Sequence, residues 1–439
     1  MSTAGSHGLG LRWAGLFLAA MGVMIGCESP PSAATVRAPA GEIDQRAADR
    51  VTDVEALRDG LAKKHADPFV HVSREQFFAA AAELQTRVPR LDDAGFIVGL
   101  RKLAAMLGDA HTQVVLETGK LPCATNIPVR FVGLADGIFI DAAPDGHTDL
   151  LGAKVLGVGT VSTEEAAARI RTFSACENES NARDTVPRWL KYNQVLHALE
   201  IIPSVERVTL RVDGGEGAAG VREVTIEAVG DDARVRGSSL PDASKVSLPP
   251  GRVARPEWYW HVFLPDGEIL YCRYDRCADA PGKTVGAWSR EVMSEVEARQ
   301  PRKVVIDLRN NSGGNSGLLL PLVSELRSWA ARDRASRRVY ALIGPATFSS
   351  GITNALNLRE FAAAVLVGEV PGQPIGSFGE VRSFTLPRSG LKVMYGSVVR
   401  DDPAHPVEIT PDIPAPMRSE DYFAGRDPAM EAVRGDGGK

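Results

Sequence analysis

The chain has 439 residues, 44% of them hydrophobic and 24% charged, and a formal net charge of -5. That is too long for one small domain, and the composition is that of globular protein rather than of a disordered or collagen-like chain. A mildly acidic balance with no long basic run gives no reason to expect a nucleic-acid partner.

Trp13 to Ile25 is a short apolar run behind Arg12. It is too short to span a bilayer and suits the apolar region of an export signal. It ends in Met24-Ile25-Gly26-Cys27, which resembles a bacterial lipobox. That resemblance implies cleavage before Cys27, lipid on its sulfur and a place in the cell envelope, facing the periplasm. Residues 1–26 are therefore expected to be a signal peptide, and 27–48, rich in Pro, Ala and Ser, a flexible tether.

Residues 49–120 read as helical. Thr52-x-x-Glu55 and Ser73-x-x-Gln76 have the form of capping boxes, each ahead of apolar residues at three- and four-residue spacing. A third run, from about Asp92 to Leu107, stops at Gly108-Asp109-Ala110-His111-Thr112, so His111 is expected on a turn at a helix exit. Residues 121–230 change to short β-type runs at 128–132, 137–140, 154–158, 207–212 and 223–227, with helical patterns at 164–171 and 185–199. Residues 231–257 carry Gly, Pro and Ser without periodicity and read as a linker or loop. A strand at 268–274 and a helix at 285–299 then lead into a core spanning 258–420, with 421–439 left as a C-terminal tail.

With Cys27 set aside, Cys123, Cys176, Cys272 and Cys277 remain. An even number in an exported chain permits two disulfides, Cys272 with Cys277 and Cys123 with Cys176, against the alternative of buried free thiols. No C-x-x-C spacing is present and His is scarce, so these cysteines give no metal site.

The chemistry concentrates in the core. Val304-Val-Ile-Asp-Leu-Arg-Asn-Asn-Ser-Gly-Gly314 and Ile343-Gly-Pro-Ala-Thr-Phe-Ser-Ser-Gly351 each read as an apolar strand running into a small-residue turn and a helix. Two such units imply a parallel sheet, with both turns at the carboxyl ends of its strands, where ligands bind. One turn offers glycine amides and the other a serine at a helix start. A nucleophile beside donors for an oxyanion is what acyl transfer requires. The plainer reading is that Ser349 or Ser350 merely caps the helix and the glycines merely turn the chain.

Gly108-Asp-Ala-His-Thr112, Asp307-Leu-Arg-Asn-Asn-Ser-Gly-Gly314, Thr347-Phe-Ser-Ser-Gly351, Gly368-Glu-Val-Pro-Gly372, Phe378-Gly-Glu380 and Thr410-Pro-Asp-Ile413 occur in that order. Together they resemble the carboxyl-terminal processing and tricorn-type serine peptidases, relatives of the tail-specific proteases, over roughly 49–417. The resemblance implies an α/β fold: a ClpP/crotonase-like parallel-sheet core, an N-terminal helical region and a degenerate PDZ-like β-rich module. It implies Ser349 as nucleophile, with Ser350 as fallback. One branch of the family uses a lysine as base beyond the Gly-Glu turn, where this chain has Gln373. The other branch uses the histidine of the Gly-Asp-x-His-Thr turn, here His111, and imidazole suits a base at neutral pH. A structural histidine is the plainer alternative. Glu380 is implied as the group that orients His111, though it could equally be a solvated strand-edge residue, and Asp109 is expected to turn away and cap backbone amides. The amides of Gly314 (or Gly313) and Ser350 are implied as the oxyanion hole, and Asp307 and Arg309 as a structural pair. The substrate would be a protein or peptide, with no metal or organic cofactor. Two other classes stand beside this reading: a catalytically silent relative that binds peptides or C-termini, and a purely structural envelope protein.

Overall fold

The computed structural model describes residues 40–116, 125–230, 251 and 255–437. Three helices come first, α1 (Ala40–Lys64), α2 (Arg74–Arg87) and α3 (Asp93–Ala105). The Gln76 amide donates to Ser73 Oγ and the Ser73 amide to Gln76 Oε1, the reciprocal box read from the sequence. The Gly95 amide donates to Asp92, which caps α3. No such box forms at Thr52. Helix α1 begins at Ala40, inside the stretch expected as tether, and the Thr52 hydroxyl donates back to the Ala48 carbonyl. A bond to the carbonyl four residues back is what a mid-helix threonine makes in place of a cap.

The β-rich region follows β1 (Gln113–Val114) and β2 (Thr125–Asn126). It contains β3 (Arg130–Leu134), β4 (Gly137–Ala142), β5 (Lys154–Val158) and β6 (Val161–Ser162). Helices α4 (Thr163–Phe173), α5 (Glu179–Trp189) and α6 (Asn193–Ala198) come next, then β7 (Arg207–Asp213), β8 (Val221–Glu227) and β9 (Val229–Gly230). Strands run antiparallel in the order β3-β4-β5-β7-β8, with β6 beside β5. The one helix expected over 185–199 is two. Asn178 starts α5 early by accepting from the Asn181 amide, and a Trp189–Tyr192 turn divides it from α6. Pro187 lies inside α5 and lacks the N–H that would bond the Arg183 carbonyl. That carbonyl sits over Gly133 on β3, where a Cβ would come within 2.0 Å of it.

The core sheet is built from β10 (Tyr259–Phe263), β11 (Ile269–Tyr274), β12 (Lys303–Asp307), β13 (Arg338–Ile343), β14 (Val365–Gly368) and β17 (Ile413–Pro414), hydrogen-bonded in that order. All neighbours are parallel except β10 with β11. Helices α7 (Val285–Arg299), α8 (Leu320–Ala331) and α9 (Ser350–Ala362) cover one face. Side chains alternate along each strand. Leu270, Val304, Ile306 and Ile343 meet Trp288, Leu326 and Trp329 on the helix side, while Tyr271, Val305, Tyr340 and Leu342 meet the opposite layer. Burial on both faces is why these strands read as unbroken apolar runs.

The segment beyond 420 is not a tail. After β15 (Ser377–Thr385), β16 (Lys392–Arg400) and α10 (Ser419–Phe423), helix α11 (Pro428–Gly435) buries Ala429, Met430 and Val433 against that second face. Leu386, Val393 and Tyr395 of the β15–β16 hairpin pack into the α1–α3 cluster, so the helical region and the core share one junction. The expected disulfides are absent among the described residues. Cys176, Cys272 and Cys277 are free thiols, with Cys272 turned into the sheet core and Cys277 donating to Asn311 and accepting from Asn354. Cys123, Cys27 and the signal segment lie outside the described residues. Among the described residues no helix is long and apolar enough to cross a membrane.

Arg309 and Asp307 pair as the sequence suggested, within a larger network. The Arg309 guanidinium donates to both Asp307 oxygens, Tyr271 donates to Asp307 Oδ2 at 2.6 Å, and Arg309 also forks onto Asp427 at 2.8 and 2.9 Å. Asp427 in turn caps α11 by accepting from the Met430 amide. Breaking a buried pair from one side leaves an uncompensated charge, which costs about 3–5 kcal/mol. Asp427→Ala is therefore expected to lower stability by about 3 kcal/mol, read from the urea unfolding midpoint, and an unchanged midpoint would show that α11 is held by packing alone.

Candidate active site

The loop between β13 and α9 is fixed to the loop after β12. Thr347 Oγ1 accepts from the Gly344 amide and donates to the Leu308 carbonyl, and the Phe348 amide donates to the Asn311 carbonyl. Ser349 follows with φ 53° and ψ -124°, a left-handed conformation for a residue with a side chain. Such backbone costs about 1–3 kcal/mol and persists only where its surroundings enforce it. Ser349 does not cap α9, and its hydroxyl makes no hydrogen bond among the described residues. Its amide donates to Gln373 Oε1 at 2.9 Å. Ser350, the fallback, is already committed: its hydroxyl donates to the Gly314 carbonyl at 2.6 Å.

Gly313 and Gly314 come up against this serine with φ 111° and 131°. A Cβ on Gly313 would stand 2.8 Å from Ser349 Cβ and 3.2 Å from its Oγ; one on Gly314 would stand 2.2 Å from the Cys277 carbonyl. Glycine is thus required at both positions by space as well as by φ. The Gly313 amide is taken by Asn311 Oδ1. The amides of Gly314 and Ser350 have no partner among the described residues, and Ser350 lies in the first helical turn, where amides are free of intrahelical bonds.

His111 sits at the exit of α3, as expected, with its ring 4.8 Å from that of Phe348, the residue before Ser349. It is 7% exposed and neither ring nitrogen has a hydrogen-bond partner. Nδ1 faces two carboxylates, Asp109 Oδ1 at 3.4 Å and Glu177 Oε1 at 4.0 Å. Asp109 is fully buried and caps backbone amides as expected, but it does not turn away from the imidazole. It accepts from the His111 amide, Thr112 Oγ1, the Gly396 amide and His65 Nε2. The Asp67 amide donates to His65 Nδ1, which leaves the His65 proton on Nε2, facing Asp109. Burial works to raise the Asp109 pKa, but the His111 imidazole 3.4 Å away, short of a well-formed hydrogen bond, and the donors His65 and Thr112 outweigh it and hold the group ionised well below the usual carboxylate range.

Glu177 is the opposite case. It accepts from the Ala110 amide and from Gln373 Nε2, each at 3.2 Å. Burial first, and the Asp109 charge second, push it up to about 8 against those hydrogen bonds. Two carboxylates beside one imidazole are thereby held in different protonation states at neutral pH. The ligating atoms of Asp109, His111 and Glu177 all lie within 4.8 Å of one another, close enough to hold a metal ion.

Glu380 does not join this group. It is exposed on β15 and pairs with Arg400 at 2.9 Å, because the hairpin there turns its side chain to solvent. Glu177 was not found from the sequence: it lies in the α4–α5 turn of the β-rich region, with no motif around it and more than sixty residues from His111. Gln373 was noticed only for not being lysine. It is 4% exposed and its amide bridges the Ser349 N–H to Glu177.

No protein-family model matches the chain, and no curated protein matches it in sequence. Solved structures do. Mature CPAF complexed with lactacystin is similar at a TM-score of 0.61 and 13% identity, covering 90% of this chain and 98% of that one. A second structure of mature CPAF is similar at a TM-score of 0.60 and 14% identity, covering 90% of this chain and 97% of that one. The photosystem II D1 C-terminal processing protease is similar more loosely, at a TM-score of 0.37 and 16% identity, over 87% and 98%. The chain therefore shares the mixed α/β fold of CPAF.

Two outcomes follow from the geometry. Gly313→Ala, with strained backbone and a methyl against Ser349, should lower the urea midpoint and slow the reaction of Ser349 with acylating or phosphonylating probes; unchanged stability and reactivity would show that the loop accommodates the methyl. Glu177 holds a proton in the folded state that the unfolded state has lost, so stability falls as pH rises from its ordinary 4.5 toward about 8. Glu177→Gln should remove that decline, gaining stability over the parent near pH 8 and little near pH 5 in urea titrations. Equal effects at both pH values would mean Glu177 ionises normally.

Proposed function

We propose that the protein is a serine peptidase of the carboxyl-terminal processing and tricorn type, cleaving peptide bonds of proteins or peptides through an acyl-enzyme on Ser349. The carrying observation is Ser349 itself: strained backbone at the carboxyl end of a parallel strand, no capping bond and an unengaged hydroxyl. A strand-to-helix serine held in this way is the arrangement of a nucleophile elbow. In this reading His111 takes the Ser349 proton as the hydroxyl oxygen attacks the peptide carbonyl. The amides of Gly314 and Ser350 hold the oxyanion, His111 protonates the leaving amine, and water resolves the ester. Asp109, ionised beside Nδ1, stabilises the imidazolium. Catalytic hydrogen bonds are commonly long in an unliganded site and close when substrate binds, and the unpaired His111 nitrogens fit that behaviour. Gln373 does the work of position rather than of base, fixing the Ser349 amide and Glu177 together.

The core would be of the ClpP/crotonase type and the β-rich region a degenerate PDZ-like module. The chain would be exported and anchored in the cell envelope by lipid on Cys27.

The test is active-site labelling. A fluorophosphonate should give a single adduct on Ser349, mapped by peptide mass, absent in Ser349→Ala and at least about a hundredfold slower in His111→Ala. No adduct on a folded protein would sink the peptidase and leave a peptide-binding relative with the same cleft.

A further inference from the structure

Around His111 the ring nitrogens, not the carboxylates, are the unusual feature. The imidazole is more than nine-tenths buried, and neither nitrogen is paired. A buried polar atom without a partner is destabilising unless something else is meant to meet it. Nδ1 points at Asp109 Oδ1 (3.4 Å) and Glu177 Oε1 (4.0 Å), too far for good hydrogen bonds. Ligands about 2.0–2.2 Å from a tetrahedral ion stand about 3.4 Å from one another. The observed separations are close to that, and all the ligating atoms fall within 4.8 Å.

Each group also keeps a free lone pair on the shared side. Of the two Asp109 oxygens, Oδ2 takes His65, Thr112 and the Gly396 amide, while Oδ1 accepts only the His111 amide. On Glu177 the oxygen nearer His111, Oε1, already accepts two donors, so an ion would take Oε2, which accepts none among the described residues, or displace the Gln373 amide. One imidazole and two carboxylates form a borderline donor set that suits Zn²⁺. Calcium and magnesium, which prefer oxygen alone, are poor fits.

From this juxtaposition we infer that Asp109, His111 and Glu177 form a reversible binding site for a zinc-class divalent ion, and that its occupancy turns the peptidase off. The second half rests on the proposed role of His111; the first does not. An ion on Nδ1 needs a neutral imidazole with its remaining proton on Nε2. That nitrogen is then a donor and cannot accept the Ser349 proton. Binding releases the Glu177 proton to solvent, and no bond of the chain is broken. The site is thus an inhibitory one, built from the residues that otherwise orient and charge the base.

The experiment uses untagged, metal-stripped protein with Zn²⁺ itself as ligand, and Co²⁺ as an absorbing substitute. We expect one equivalent bound, with visible Co²⁺ bands of a four-coordinate N/O site displaced by Zn²⁺. Affinity should fall at least tenfold in both His111→Ala and Glu177→Gln, and stay unchanged in His405→Ala and Cys176→Ser, which remove an exposed imidazole and the thiol next to Glu177. Zn²⁺ should slow fluorophosphonate labelling of Ser349 over the same concentration range. No binding, binding that survives His111→Ala, or binding that leaves labelling unaffected overturns the inference. If Zn²⁺ binds as described but Ser349 never labels, the ion site stands and the peptidase reading is what fails.

Discussion

A carboxylate with no exposed surface must be met by donors on every side, and Asp109 is where that requirement organises the molecule. Its donors come from three places: His65 just beyond α1, its own turn after α3, and the Gly396 amide on β16. The β16 backbone can come this near only as glycine, since a Cβ there would lie 2.8 Å from Asp109 Oδ2. One buried charge therefore joins the helical region to the hairpin that follows the core sheet. The same charge faces the imidazole and adds to the burial that raises the neighbouring Glu177, so the fold's junction also shapes the site's electrostatics.

Around that centre the site is assembled by backbone contacts rather than by long side chains. The loops after β12 and β13 are bonded through Thr347, Phe348 and Asn311, and the Gly368–Gln373 turn lies against them, with the Gly372 amide donating to the Thr347 carbonyl. The strained conformation of Ser349 is enforced by these neighbours. The small residues here are small because other backbone occupies the space: Gly351 faces the Asn311 carbonyl and Gly372 the Pro345 carbonyl.

What could be read in the sequence follows the range of the forces involved. Local signals were legible: the Ser73 cap, the helix stop at Gly108, and the strand–turn–helix units that present Gly313, Gly314 and Ser349. Doubly buried strands declare themselves as apolar runs. The errors arise where a distant contact decides. Thr52 looks like a cap only if α1 is not already under way. Residues 421–437 look like a tail only if the second face of the sheet is ignored. Glu380 has the right place in a motif, but on the hairpin it is exposed and pairs with Arg400. Glu177 reaches His111 from a separate region, and no spacing in the chain could announce it. Cysteine parity said nothing about pairing, because Cys272 and Cys277 serve as packing and as a hydrogen-bonding thiol.

The close approach of α5 to β3 has a consequence for how this protein could meet another chain. β3 is an outer strand of its sheet, the kind of edge to which an extended peptide adds by backbone pairing. Here the Arg183 carbonyl, released by Pro187, rests on Gly133, and Arg183 itself is paired with Glu369 of the core. Helix α5 thus covers one face of β3 and is itself tied to the core. The opposite outer strand, β8, carries exposed residues along most of its length. A chain pairing beside β3 would therefore have α5 against one of its faces and be met by side chains of that helix as well as by backbone.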